Sequence, residues 1–148
     1  MASLNIPSLP LLAALALILV LPVRAVTSAS AEAAQMAVGR VEPADLNDEE
    51  VQKVINFAAK TYNDMNNDLY FSKPIQVMSA SQQVVAGMNF YLKIKFGRTT
   101  CTKAQSDLAD CPFNEQSDQQ KRVICNFQIS TVPWMNKMSV TNFNCPRT

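Results

Sequence analysis

Asn89-Phe90-Tyr91-Leu92-Lys93-Ile94-Lys95-Phe96 alternates polar and apolar side chains without a break, the period of two that marks a β-strand with one greasy face. Before it, Gln83-Val84-Val85-Ala86-Gly87 interrupts the alternation, and Ile75 and Val77 lie further upstream, so the chain turns near Val85 and Ala86 into a hairpin. That turn sets Val77 across from Ile94 and Ile75 across from Phe96. Downstream, strands over Val123 to Val132 and Met138 to Phe143 flank a turn at Pro133-Trp134-Met135-Asn136. Upstream, Val51, Val54, Ile55, Ala58, Tyr62 and Met65 recur at spacings of three and four, with Gln52, Lys53, Asn56, Lys60 and Asn63 on the other side. This is one amphipathic helix. Asn47 followed by Glu50 has the form of a capping box, and Asn66-Asn67-Asp68 is its stop. With a short arm strand ending at Pro43, the expected fold is α+β: one long helix packed across a curved antiparallel sheet of four or five strands.

The composition narrows the function. A net charge of +1 gives no electrostatic footprint for nucleic acid. Histidine is absent, which removes the usual general base, the Ser/His and Cys/His nucleophile pairs and the commonest metal ligand. No nucleophile, base and orienting group can be assembled, so an enzyme is not expected, nor a metal or other cofactor.

The N-terminal stretch from Leu9 to Val23 is apolar, short and marked by Pro10 and Pro22, so it reads as a secretory signal. Val23-Arg24-Ala25 sets a cut after Ala25, and the alanine and serine run to Ala34 offers further cut points. The n-region departs from the usual pattern in carrying no Lys or Arg, and a retained anchor is the alternative reading. The expected organisation is a signal over 1–25, a flexible segment over 26–36 and one domain over 37–148.

Secretion gives Cys101, Cys111, Cys125 and Cys145 a meaning. They are even in number and lack the C-x-x-C pairs of zinc sites, so disulfides are expected. Of three pairings, symmetry favours one. Cys125 and Cys145 are equidistant from Met135, so strands paired symmetrically about the turn set Phe127 against Phe143, Ile129 against Thr141 and Cys125 against Cys145. Cys101 is left for Cys111.

Several of these segments together resemble a known family. Gln83-Val84-Val85-Ala86-Gly87 is similar to the Gln-x-Val-x-Gly hairpin of the cystatins, Pro133-Trp134 to their second hairpin, and Gly39 lies at the usual interval before the helix. Gly97-Arg98-Thr99-Thr100-Cys101-Thr102-Lys103, Cys111-Pro112-Phe113 and the order of the four cysteines resemble the secreted, type 2 members. The resemblance implies a reversible, tight-binding, non-covalent inhibitor of papain-like cysteine proteases such as cathepsins. It implies a wedge: Val38 for the apolar second subsite, Gly39 to turn the backbone away from the thiolate, Gln83, Val84, Val85, Ala86 and Gly87 along the cleft wall, and Pro133 and Trp134 on the primed side.

It also implies a second surface. Asn67 and Asp68 match the Ser-Asn-Asp with which some secreted cystatins occupy legumain-type proteases, whereas Asn66 departs from it. The plain reading is an asparagine that tolerates left-handed φ at a helix end. Ala37 and Arg40 depart from the family's arm, so the arm is expected to contribute less than the hairpins. Val85 is β-branched at a hairpin apex, and strain there would favour a domain-swapped dimer over the monomer. The competing function is a secreted cystatin-fold binding or structural protein without protease inhibition, for which a retained pentad and Trp134 have no use.

Overall fold

The computed structural model describes residues 38–147. The signal, its cut, the segment over 26–36 and Ala37 lie outside the described residues.

An arm strand β1 (Val41–Pro43) leads into helix α1 (Glu49–Met65), followed by four strands: β2 (Tyr70–Val85), β3 (Gly87–Thr102), β4 (Val123–Val132) and β5 (Lys137–Asn144). The five strands form one antiparallel sheet in the order β1-β2-β3-β4-β5. Sequence neighbours are spatial neighbours throughout. The alternation in β3 is realised as read: Phe90, Leu92, Ile94 and Phe96 are buried beneath Val51, Val54, Ile55 and Ala58 of α1, together with Cys125, Phe127 and Ile129 of β4. Each large apolar side chain buried there contributes about 1.5–3 kcal/mol. Tyr62 extends the core by stacking on Phe96, with ring centroids 4.5 Å apart.

Several local expectations are corrected. The helix cap is Asp48, not Asn47: Asp48 Oδ1 accepts from the N–H groups of Glu50 at 2.8 Å and Val51 at 3.4 Å. Asn47 instead donates to Asp45, so the chain enters the helix one residue later. In the last helical turn Asn63, expected in solvent, takes the inward place, while Met65 is exposed. Asn63 earns burial by exchanging two hydrogen bonds with Ser72, whose N–H donates to Oδ1 at 2.9 Å and whose carbonyl accepts from Nδ2 at 2.7 Å.

Val77 faces Ile94 as expected, but Phe96 faces Pro74, not Ile75. Proline has no N–H to give the ladder, and beside it Ile75 is bulged out of register. In the second hairpin Phe127 faces Phe143, yet Ile129 faces Val140 instead of Thr141. Thr141 is the extra residue, its hydroxyl donating to the Gln128 carbonyl at 3.1 Å. The shift lies between the cysteines and the turn, so Cys125 still meets Cys145, and the two disulfides are Cys101–Cys111 and Cys125–Cys145. Val85 does not carry the strain anticipated for it: the positive φ of the first hairpin belongs to Gly87, at +119°.

Candidate functional site

The three segments singled out in the sequence meet at one end of the sheet. Val41 pairs with Gln83, which lays the arm along the first hairpin, and the Gly39 N–H donates to the Val84 carbonyl at 2.6 Å. A Cβ on Gly39 would stand 3.1 Å from Val84 Cβ and 3.2 Å from Val84 O, so glycine permits this close approach. Gln83 closes the joint: its Nε2 donates to the Gly39 carbonyl at 3.1 Å, and its Oε1 accepts from the Tyr91 hydroxyl at 3.0 Å.

The first hairpin in turn abuts the second. Met88 pairs with Thr131, and a Cβ on Gly87 would lie 2.4 Å from the Thr131 carbonyl oxygen. One residue past Val132 the chain enters a 3-10 turn, Pro133–Met135, closed by the Asn136 N–H donating to the Pro133 carbonyl at 3.0 Å. Asn136 takes a left-handed φ of 46°, which returns the chain into β5.

Apolar side chains are left uncovered along this edge: Val38 is 56% exposed, Val84 54%, Trp134 70% and Met135 63%. Pro133 and Ala86 are exposed too, whereas Val85 and Gln83 are half-buried. Two contributors were not recognised from the sequence: Met135, which was read only as the centre of a turn, and Tyr91, whose partner depends on strand register. No group of His, Cys, Asp and Glu fit to hold a metal occurs among the described residues.

Asn67 sits at the other end of β2, exposed between two pinned neighbours. Asn67 has no positive φ, so the left-handed conformation expected of an asparagine here is absent, and Asn66 is extended at φ −93°. Its amide donates to the Tyr62 carbonyl at 2.9 Å, and its Oδ1 accepts from Lys103 Nζ at 2.8 Å. Lys103 also bonds the Asn63 and Asn66 carbonyls, supplying the cation that the last turn of α1 lacks. Asp68 Oδ2 accepts from Arg98 Nε at 2.9 Å and Nη2 at 2.6 Å. Burial pushes the Asp68 carboxyl up, but the Arg98 hydrogen bonds, the Tyr70 N–H and the charges of Arg98 and Lys121 outweigh it and hold the group below the usual carboxylate range.

An arm and two hairpin ends on one sheet edge, carried by a single helix across five strands, define a class, and comparison with known proteins agrees. The family model for the cystatin domain matches residues 39–134, and the chain belongs to the cystatin family. It is 70% identical to cystatin-D of Mus musculus over 145 residues, covering 98% of each chain. Cystatin-C of Oryctolagus cuniculus is 42% identical over 143 residues, covering 97% of this chain and 96% of that one. These relatives set it among the type 2 cystatins. Among solved structures, dimeric human cystatin F superposes with a TM-score of 0.66 at 28% identity, covering 73% of this chain and 86% of that one. A salivary cystatin from the soft tick Ornithodoros moubata gives 0.58 at 27% identity, covering 74% and 98%. Family and fold imply inhibition of cysteine proteases, not catalysis.

Proposed function

We propose that the protein inhibits papain-like cysteine proteases, cathepsins among them, by seating the edge formed by Val38, Gly39, Gln83 to Gly87, Pro133 and Trp134 in the active-site cleft. The observation that carries this reading is the pair of joints at Gly39–Val84 and Gly87–Thr131, which brings three distant segments to one edge. Val84 on β2 and Trp134 on the 3-10 turn then enter the cleft on a backbone already set, so little conformational entropy is lost, and an interface of roughly 800 Å² per partner binds tightly without covalent chemistry. The side chains of the arm and of the hairpin ends offer no electrophile to the enzyme's thiolate.

Titration of active-site-counted papain tests this. Stoichiometric loss of activity, recovered on dissociation, supports the wedge; full activity at equimolar protein leaves a cystatin-fold binding protein that does not inhibit. Comparing deletion through Gly39 with Trp134→Ala against cathepsin L ranks the arm below the hairpins if the tryptophan variant loses more.

Asn67 favours a second target, the legumain-type proteases. Its side chain is free while Asn66 and Asp68 are each anchored, so an asparagine is offered on a prearranged loop. Asn67→Ala is expected to abolish legumain inhibition and leave papain inhibition intact; equal legumain inhibition by both forms overturns this second target. The reading includes export with the signal removed, so N-terminal sequencing of protein from medium is expected to begin between residues 26 and 35.

A further inference from the structure

Beside its backbone pairing, the arm is tied to the first hairpin by the Gln83 side chain, and that side chain is itself held. Ser81 faces Tyr91 and Gln83 faces Asn89, so Gln83 and Tyr91 are diagonal neighbours on one face of the β2–β3 ladder. The diagonal brings the Tyr91 hydroxyl to Gln83 Oε1 at 3.0 Å, while Gln83 Nε2 reaches across the sheet edge to the Gly39 carbonyl at 3.1 Å. The chemistry fixes the amide's orientation. A backbone carbonyl only accepts, so the NH₂ end must face Gly39, and the oxygen end is left for the phenol to donate to. Both residues are half-buried, so the chain of bonds is partly shielded from competing water.

We propose that Tyr91 is a positioning residue for the N-terminal arm: its hydroxyl orients the Gln83 amide, which clamps Gly39 in the approach the arm needs. This rests on the wedge reading for its use, though not for its existence. The sequence Gln-x-Val-x-Gly accounts for Gln83, but Tyr91 lies outside the pentad and meets it through the Gln83 amide. Without the hydroxyl, Gln83 Oε1 loses its donor, the amide rotates freely, and Gly39 keeps only the backbone bond to Val84.

The test has one readout that needs no protease. Amide hydrogen exchange of Gly39, referenced to amides at the centre of β3, is expected to rise about five-fold in Tyr91→Phe, the equivalent of one neutral hydrogen bond. Gln83→Glu, which still accepts from Tyr91 but repels the Gly39 carbonyl, is expected to raise it at least as much. Unchanged Gly39 exchange in both variants overturns the clamp, whether or not the protein inhibits anything.

Dissociation from papain supplies the second readout. Tyr91→Phe is expected to speed dissociation of the full chain, by no more than deletion of the arm does, and to have no effect once residues through Gly39 are removed. The same acceleration in the truncated form overturns the proposal, since Tyr91 would then act on the hairpin. Faster Gly39 exchange with unaltered dissociation keeps the clamp and removes the arm from the wedge.

Discussion

Gly87→Ala puts the geometry of the edge to its hardest trial. The added Cβ would lie 2.4 Å from the Thr131 carbonyl oxygen, a backbone atom, and must retreat by about 0.6 Å to reach the 3.0 Å at which Cβ contacts begin. The residue also holds φ at +119°, where an L side chain adds about 1–3 kcal/mol of strain. Both effects are relieved by the same movement, a parting of β3 from β4 at the tips, so they do not add in full. A loss of about 2–3 kcal/mol is expected, which for a domain of this size lowers the melting midpoint by about 10 °C. If half of the strain is relieved by parting the tips, Val84 and Trp134 no longer sit at one spacing, and binding to papain weakens by about ten-fold. Thermal unfolding followed by circular dichroism gives the first number, and inhibition of active-site-counted papain gives the second. A variant that melts and inhibits like the parent refutes the account of the joint; one that is destabilised but inhibits equally well shows that the hairpin ends are not the binding edge.

Trp134→Ala separates binding from folding in the opposite way: a ring already 70% exposed leaves the melting midpoint within about 1 °C while papain inhibition drops at least ten-fold, and a large fall in melting temperature would contradict the exposed placement. Asp68 gives a pH signature. Its folded pKa lies below the unfolded value near 3.9, so its contribution is whole above about pH 4 and is lost as pH falls through the lowered value. Asp68→Asn is therefore expected to be about 2 kcal/mol less stable than the parent by urea unfolding at pH 7, with the gap closing below pH 4; a gap that stays constant into acid would remove Asp68 from the account. Val85→Asn, chosen to relieve strain at the first hairpin, should leave the dimer yield on size exclusion unchanged, because Val85 holds no positive φ; a marked drop would restore the strain idea.

How much of this was legible in the chain depends on whether the information was local. The β3 alternation and the helical spacing from Val51 to Ala58 are local patterns, and burial followed them. Registers read by symmetry depended on bulges that the sequence does not mark: the first turn centres on Ala86, the irregularity at Met78 brings Val77 back to Ile94, and those at Ile75 and Thr141 set Phe96 against Pro74 and Ile129 against Val140. Nothing adjacent marks Thr141 as an extra residue, since its compensation lies on another strand. The burial of Asn63 was invisible for a related reason: an asparagine reads as polar until Ser72 is known to offer both a donor and an acceptor. At the site, the pentad, Gly39 and Trp134 were legible as segments and as an edge, whereas the hydrogen bond from Tyr91 to Gln83 and the anchoring of Asn66 by Lys103 and of Asp68 by Arg98 depend on contacts between residues far apart in sequence.

The length of β2 has a consequence of its own. Its 16 residues run from Tyr70 to Val85 with irregularities at Phe71, Ile75 and Met78, and at about 3.3 Å per residue they span at most about 50 Å. That is wider than the footprint one globular enzyme leaves on its partner. If the proposed edge and Asn67 each seat an enzyme, the length of β2 lies between them, and a molecule occupied at the hairpin end is expected to keep Asn67 open to a second one.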